Sequence, residues 1–223
     1  MKLSIVTGTL NRLPHLQRFI ASIAPSCGGI EHEVIIVDGG STDGTLEWLR
    51  NQKVVLIEQG YPQGAVAAFN AGFYAAEGDY VANMNDDCVL VGPTLRLACD
   101  YLDAHDDVGQ VCFPWHDVGD KTIQVQHFHV GYQQVDVIYA NFGATRRSVG
   151  EAVGWWGAWE HYSGDAELSL QVMLAGYSVV ELVGGEVLHY RVQDHTRRVC
   201  YYNPAFNDKW MRNFDASKLL PSR

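Results

Sequence analysis

Acidic side chains follow short apolar runs of the chain, and these positions are the first candidates for chemistry. Asp38 closes the run 33–37, and Asp86 and Asp87 come just after the run 79–84. Carboxylate oxygens are the ligands that hard divalent cations prefer in proteins. A solvated turn after a strand has the same composition, so the acidic pair alone leaves a cation site and a plain turn both open.

A fourth carboxylate, Asp165, stands at the start of a helical pattern over residues 164–176. A carboxylate within hydrogen-bond reach of a hydroxyl can take its proton as the oxygen attacks an electrophile. Asp165 is therefore our candidate general base, and Glu167 is the less favoured alternative. An aspartate in the first helical turn is also stabilised by free N–H groups and the helix dipole, and this structural role is compatible with the catalytic one.

Histidines supply the remaining candidate metal ligands. His189 ends a predicted strand at 186–189, and His127 and His129 share one face of another predicted strand. A single histidine is commonly a hydrogen-bonded structural residue, so ligation by His189 remains a hypothesis, with His127 and His129 as rival ligands.

The elements that must position these side chains alternate along the first half of the chain. Runs at 3–6, 33–37, 53–57 and 79–84 predict strands, and apolar residues at helical spacing between and after them predict helices. This order predicts an α/β fold with a mostly parallel sheet covered on both faces. Ligands of such sheets bind beyond the carboxyl ends of the strands, where residues 7–12, 38–43 and 85–88 follow directly.

The second half has a different pattern. Loose alternation over residues 122–139 predicts antiparallel strands or a hairpin, and short strands are predicted at 178–183 and 186–189. We expect one domain over 1–223, with a first half at 1–100, a second half at 101–193 and a tail at 194–223.

Composition narrows the class of partner. The chain has 223 residues with a net charge of −10, which disfavours nucleic acid and anionic membrane surfaces as general partners. Its five cysteines form no C-x-x-C pair, so reduced thiols in a cytoplasmic protein are expected. No apolar run is long enough to cross a bilayer, and we expect at most peripheral membrane contact.

Four stretches, in order, resemble motifs of one enzyme family. They are S-I-V-T-G-T-L-N-R at 4–12, V-D-G-G-S-T-D-G-T at 37–45, G…N-A-G…G-D-Y-V…N-D-D from 64 to 87, and G-D-A-E-L…A-G-Y…H from 164 to 189. Together they resemble the inverting family 2 glycosyltransferases, which have the GT-A fold with a small antiparallel sheet on the acceptor side. Each motif alone is weak, but their shared order and spacing make the resemblance specific.

Three positions depart from the family pattern. Asn85 replaces the first acid of the D-x-D metal motif, a variant also found in rhamnosyltransferase-like members. Phe69 stands where the family often has an arginine, and Gly164 stands where it has a glutamate before the aspartate. The first and last departures keep a non-catalytic carbohydrate-binding relative among the alternatives.

The resemblance implies transfer of a sugar from a UDP- or dTDP-sugar, with inversion, to an acceptor hydroxyl on a glycan or lipid-linked glycan. It implies Mn²⁺ or Mg²⁺ held by Asp87 and His189, and Asp165 as the base. It also implies a donor-binding set, with Asp38 reading the nucleobase; the set comprises Thr7, Thr9, Arg12, Asp38, Asn70 and Asp86. A sugar-nucleotide nucleotidyltransferase is the other enzymatic alternative, although residues 7–12 lack its Gly-rich, basic phosphate loop.

Aromatic and basic clusters complete the candidates. Indole faces stack on sugar C–H faces, so the cluster before Asp165 is predicted to be either an acceptor platform or part of the core; it comprises Trp155, Trp156, Trp159, His161 and Tyr162. A basic group can fold over the diphosphate or form a solvated turn; it comprises Arg191, Arg197 and Arg198.

Overall fold

A seven-stranded sheet forms the centre of the computed structural model, which describes residues 2–157, 159, 163–192 and 203–219. The described strands are β1 Lys2–Thr9, β2 Glu31–Asp38, β3 Val55–Glu58, β4 Tyr80–Asn83, β5 Cys88–Val91, β6 Val108–Cys112, β7 Trp115–Asp117, β8 Gln126–Val130, β9 Val135–Tyr139, β10 Gly143–Arg146, β11 Ser178–Glu181 and β12 Glu186–His189. The central order is β11-β6-β10-β4-β1-β2-β3, and only β10 runs antiparallel to its neighbours.

Helices cover both faces of this sheet. The described helices are α1 Leu13–Cys27, α2 Thr45–Leu49, α3 Ala65–Ala75, α4 Thr94–Ala104, α5 Arg147–Val153, α6 Gly164–Leu174 and α7 Pro204–Phe206, followed by a π-helical turn, Asn207–Arg212, and a 3₁₀ turn, Ala216–Lys218. Leu3 and Ile5 of β1 join the core under α1 and α4, whereas Val6 joins the core under α3 and α6. Strands buried on both faces are typical of parallel sheets, so the predicted α/β class is confirmed.

Helix α3 lies unusually close to the sheet. A Cβ atom added to Gly72 would lie 2.3 Å from Val6 Cγ1, so only glycine permits this approach. The sequence pattern of small residues over 65–76 predicted such close packing. The close contact fixes α3 against β1, next to the strand ends that carry the candidate site.

The parallel pairing of β1 with β2 and β4 places the carboxyl ends of these three strands side by side, as predicted. Thr9 pairs with Asp38 across β1 and β2, and Val6 pairs with Asn83 across β1 and β4. Asn85, Asp86 and Asp87 then form a turn between β4 and β5. Polar residues predicted to follow separate strands therefore share one edge of the sheet.

Two small sheets lie outside the central one. Strand β12 pairs antiparallel with β5 and parallel with β7, and β8 and β9 form an antiparallel hairpin within the predicted segment 122–139. Strands β5, β6, β7 and β10 were not predicted, and their places in the sheets depend on pairing with strands that are distant in the sequence. Among the described residues, no helix is long and apolar enough to cross a membrane.

Candidate functional site

The turn after β4 is tied to the end of β1 by charged and polar contacts. Thr9 Oγ1 donates a hydrogen bond to Asp86 Oδ2 at 2.8 Å, and Arg12 Nη1 donates to Asp86 Oδ1 at 2.9 Å. The same guanidinium nitrogen lies 3.8 Å from Asp87 Oδ2. Three of the predicted donor-binding residues therefore form one connected group at the carboxyl edge of the sheet.

Asp87 and His189 meet because β5 pairs with β12. The register sets His189 opposite Cys88, the residue after Asp87, and His189 Nε2 lies 3.4 Å from Asp87 Oδ1. The backbone N–H of Val192 donates to Asp87 Oδ2 at 2.9 Å, and that of Tyr190 donates to the Asp87 carbonyl. Two residues 102 positions apart are thus held together by strand pairing.

The two neighbouring aspartates have opposite electrostatic environments. Burial raises the pKa of Asp86 to about 6, with a further contribution from the Asp87 charge, against the opposing effects of Arg12 and Thr9. Burial also acts to raise the pKa of Asp87, but His189, the Val192 N–H and Arg12 outweigh it and lower that pKa to about 2. Asp87 is therefore an anion over the whole physiological range, as a metal ligand must be.

The side chains around Asp87 fit a divalent cation. Asp87 Oδ1 is buried and makes no hydrogen bond within the described residues, which leaves a carboxylate oxygen for a ligand. One donor atom each from Asp87, Cys88 and His189 lie within 4.8 Å of one another. The carboxylate oxygen suits Mn²⁺ or Mg²⁺, the imidazole nitrogen suits Mn²⁺ better than Mg²⁺, and the thiol is a softer donor than either. Cys88 was not predicted, and its adjacency to Asp87 was the available sign.

The rival ligands lie elsewhere. His127 Nδ1 and His129 Nδ1 lie 2.9 and 3.6 Å from the carboxylate of Asp136, on the exposed hairpin β8–β9. They form no part of the Asp87 group. The structure therefore favours His189 over these two histidines as the partner of Asp87.

Asp38 combines a local turn with a free carboxylate oxygen. Its Oδ1 accepts the N–H groups of Gly40 and Ser41, and its Oδ2 is buried with no hydrogen bond in the described part of the chain. The local turn accounts for the two hydrogen bonds of Oδ1, whereas Oδ2 remains available to a ligand. Thr7 is fully buried on β1, and its hydroxyl donates to the Gly8 carbonyl at 3.3 Å.

The turn after Asp38 also prepares α2. Asp43 Oδ1 accepts the N–H of Thr45, the first residue of this helix, while Ser41 Oγ accepts the N–H of Asn11. Asp43 thus accepts an N–H group at the start of α2, and Ser41 holds the loop after β1.

Asn70 is engaged with the backbone of Trp156. Its Nδ2 donates to the Trp156 carbonyl at 2.9 Å, and its Oδ1 accepts the Trp156 N–H at 3.1 Å. Both polar atoms of the predicted donor-binding amide therefore hold the loop before α6.

The tryptophans before α6 belong largely to the core. Trp155 stacks on Phe73 with ring centroids 4.9 Å apart, and Trp156 packs on Phe69 at 4.4 Å. Both indoles are buried, which supports the core alternative for them. Trp159 is half-buried, and His161 and Tyr162 lie outside the described residues.

The carboxylates of α6 differ sharply. Glu167 is buried and accepts hydrogen bonds from the indole N–H groups of Trp159 and Trp210 and from the Lys209 ammonium, so it ties α6 to the C-terminal segment. Asp165 is half-buried and accepts the N–H of Ala166. Burial raises the pKa of Asp165 to about 6, against the effect of backbone N–H groups. Glu167 is engaged by its three donors, so Asp165 is the carboxylate that this helix offers for proton removal.

Arg191 is the described member of the basic group. Its Nη1 donates to Asp117 Oδ2 at 2.9 Å, and its backbone has a φ of 51°. Arg197 and Arg198 lie outside the described residues.

Comparison with known proteins decides the family. The sequence model described as glycosyl transferase family 2 matches residues 4–158, which includes β1, the Asp38 turn and the Asp86–Asp87 turn. The chain belongs to glycosyl transferase family 2. An uncharacterized glycosyltransferase of Nostoc sp. strain PCC 7120 is 32% identical to this family 2 chain over 114 residues, which are 49% of the chain and 35% of that relative.

Solved structures share the fold. TarS from S. aureus, in complex with UDP-GlcNAc, superposes with a TM-score of 0.70 at 20% identity, over 92% of this chain and 62% of that one. The mannosyltransferase PcManGT from Pyrobaculum calidifontis, in complex with GDP-Man and Mn²⁺, gives 0.69 at 18% identity, over 86% and 58%. The family 2 chain thus spans about three fifths of these proteins and about a third of the curated relative. The predicted family and GT-A fold are confirmed.

Proposed function

We propose that this family 2 chain transfers a sugar, with inversion, from a nucleotide diphosphate donor to an acceptor hydroxyl, and that the reaction depends on a divalent cation. The observation that carries the proposal is that His189 Nε2 lies 3.4 Å from Asp87 Oδ1, a buried carboxylate oxygen that makes no hydrogen bond within the described residues. This group lies at the sheet edge that also holds Thr9, Arg12 and Asp86.

The donor is assigned to residues 1–100. The buried Oδ2 of Asp38 is a hydrogen-bond acceptor suited to the imide N–H of uracil or thymine, so a UDP- or dTDP-sugar is the donor we propose. Thr9, Arg12 and Asp86 shape the neighbouring wall through their mutual hydrogen bonds. Thr7 supports the site from a buried position on β1, and the half-buried Asn70 supports it through the loop before α6.

Asp87 and His189 are the residues we assign to the cation, Mn²⁺ or Mg²⁺. A bound cation supplies Lewis-acid stabilisation of the negative charge on the leaving diphosphate. Arg12 contributes a fixed positive charge close to both aspartates, and Asp87 stays ionised because its surroundings lower its pKa.

Asp165 is the base we propose for the acceptor, in the half 101–193. As the acceptor oxygen bonds to the anomeric carbon, the bond from that carbon to the diphosphate oxygen breaks and the hydroxyl proton passes to the Asp165 carboxylate. Attack from the face opposite the diphosphate inverts the anomeric configuration. A pKa of about 6 makes Asp165 a stronger base than an exposed aspartate while leaving it ionised at neutral pH.

The resemblance to inverting family 2 glycosyltransferases and the half-buried Trp159 near α6 support the acceptor class that we propose. We propose a glycan or lipid-linked glycan as the acceptor, handled in the cytoplasm during polysaccharide biosynthesis, with at most peripheral membrane contact. The charge of −10 disfavours nucleic acid as a partner.

A thermal-shift screen of nucleotide diphosphate sugars, with and without Mn²⁺, tests the proposal. A ligand that binds the folded state raises the melting temperature increasingly with its concentration over Kd. We expect a UDP- or dTDP-sugar to stabilise the protein only with Mn²⁺ or Mg²⁺ present. A preference for a GDP-sugar would change the donor, and pyrophosphate release from a nucleoside triphosphate would favour a nucleotidyltransferase. Tight glycan binding without sugar transfer would favour a non-catalytic relative.

A further inference from the structure

Asp117 lies directly behind His189, on the side away from Asp87. It is the last residue of β7, and the parallel register of β7 and β12 pairs it with His189. Asp117 Oδ1 lies 3.1 Å from His189 Nδ1, and Asp117 Oδ2 accepts a hydrogen bond from Arg191 at 2.9 Å. The carboxylate is largely buried, with 17% of its side chain exposed.

The two nitrogens of the His189 ring therefore face two different carboxylates. Nδ1 faces Asp117, and Nε2 faces Asp87 Oδ1 at 3.4 Å. A hydrogen bond from Nδ1–H to a carboxylate favours the tautomer whose lone pair is on Nε2. That lone pair points to the side of the ring where Asp87 presents its unpaired oxygen.

The ring itself has little freedom to turn. Trp115 and Phe142 contact it edge-on, each with its ring centroid 5.5 Å away, and only 5% of the His189 side chain is exposed. The aromatic neighbours fix the plane of the imidazole, and Asp117 makes the shorter of the two contacts between a ring nitrogen and a carboxylate.

We propose that Asp117 is a positioning residue that holds the His189 ring with Nε2 directed at the divalent cation. The inference rests on the proposed function, because it requires His189 to bind the cation. Asp117 touches neither Asp87 nor the proposed donor pocket in the contacts described above, so its effect passes through His189.

The contact between Asp117 and Arg191 offers a competing explanation. If Asp117 acted mainly by tethering Arg191, removal of the arginine would weaken the cation site as much as removal of the aspartate. A measurement of cation binding without nucleotide separates the two explanations, because neither alternative for Arg191, a contact with the diphosphate or a solvated turn, involves the cation.

The test is Mn²⁺ binding without nucleotide, measured by calorimetry on wild type, D117A, D117N, R191A and D120N. D117N preserves side-chain volume in case D117A fails to fold. D120N removes an exposed carboxylate three residues away, whose Oδ1 accepts the Thr122 N–H, and serves as the matched control. Loss of an outer-shell partner of a ligating histidine typically costs about 10- to 100-fold in metal affinity.

We expect D117A and D117N to weaken Mn²⁺ binding by about 10- to 100-fold, with D120N and R191A within about twofold of wild type. In ¹⁵N spectra, the His189 ring of D117A should lose its preference for a proton on Nδ1. Unchanged affinity in D117A and D117N, or an equal loss in R191A or D120N, would overturn the inference while leaving the proposed function intact. Absence of Mn²⁺ binding by the wild type would instead overturn the proposed function.

Discussion

The edge of the sheet near Asp87 and the first turn of α6 use acidic residues in contrasting ways. At the sheet edge, Asp86 and Asp87 are buried beside Arg12, and Asp87 also lies against His189. On α6, Asp165 and Glu167 are two residues apart, yet Glu167 is saturated by donors from the C-terminal segment and Asp165 remains half-buried with a raised pKa. The surroundings, rather than the residue type, separate a structural acid from a candidate base.

Removal of the base should produce the largest effect on the α6 side of this comparison. We expect D165N to lower the transfer rate by about 10²- to 10⁴-fold, because the acceptor hydroxyl loses its proton acceptor. Donor affinity, measured by calorimetry with Mn²⁺, should stay near that of the wild type. A transfer rate within about twofold of wild type would move the base elsewhere.

Removal of the saturated acid on the same helix should instead affect folding. We expect E167A to lower the free energy of unfolding by about 3 kcal/mol, because the Trp159 and Trp210 N–H groups lose their acceptor and the Lys209 ammonium loses its partner. Chemical denaturation measures this change. E151A, which removes an exposed partner of Arg147, should cost under about 0.5 kcal/mol, and equal losses would contradict the structural role of Glu167.

At the sheet edge, a missing counter-charge should be replaceable by a cation. We expect R12Q to lose about 2 kcal/mol of stability without divalent ions, because Asp86 loses a charged hydrogen bond and the two carboxylates repel. Mn²⁺ should restore more stability to R12Q than to R50Q, which removes an exposed ion pair with Glu58. Equal gains from Mn²⁺ in both variants would show that no cation compensates for Arg12.

The smallest effect is a change of kcat with pH on the α6 side of the comparison. With donor and Mn²⁺ saturating, kcat should rise about tenfold per pH unit below pH 6 and level off above it, because Asp165 must be ionised to act as a base. The free energy of unfolding should change with pH in the opposite direction to kcat. Because the pKa of Asp165 is raised in the folded state, its contribution to stability falls as the pH rises from about 4 to about 6. A kcat that does not change between pH 5 and 7 would contradict this role.

The sequence was most informative where strands end in polar turns. The predicted runs before Asp38 and Asp86 became β2 and β4, and parallel pairing set Thr9 beside Asp38. Local pattern and turn chemistry suffice there, because the carboxyl ends of parallel strands necessarily share an edge.

The rest depended on pairing between distant segments. Strands β5 and β7 were not predicted, so the sequence did not indicate that Asp117 lies next to His189, and the only sign for Cys88 was its adjacency to Asp87. His189 itself was a candidate through family resemblance. Trp155 and Trp156 had two alternatives until their contacts with Phe69 and Phe73 were known. Burial on one face of α3, rather than residue type, decided between core and ligand platform.

Donor binding by D87A, followed by calorimetry with and without Mn²⁺, tests the central claim most directly. Asp87 supplies the buried oxygen on which the proposed cation site depends, so we predict that Mn²⁺ will no longer increase the affinity of D87A for a UDP- or dTDP-sugar, while R50Q behaves like the wild type. Donor affinity in D87A that still rises with Mn²⁺ as in the wild type would contradict the assignment.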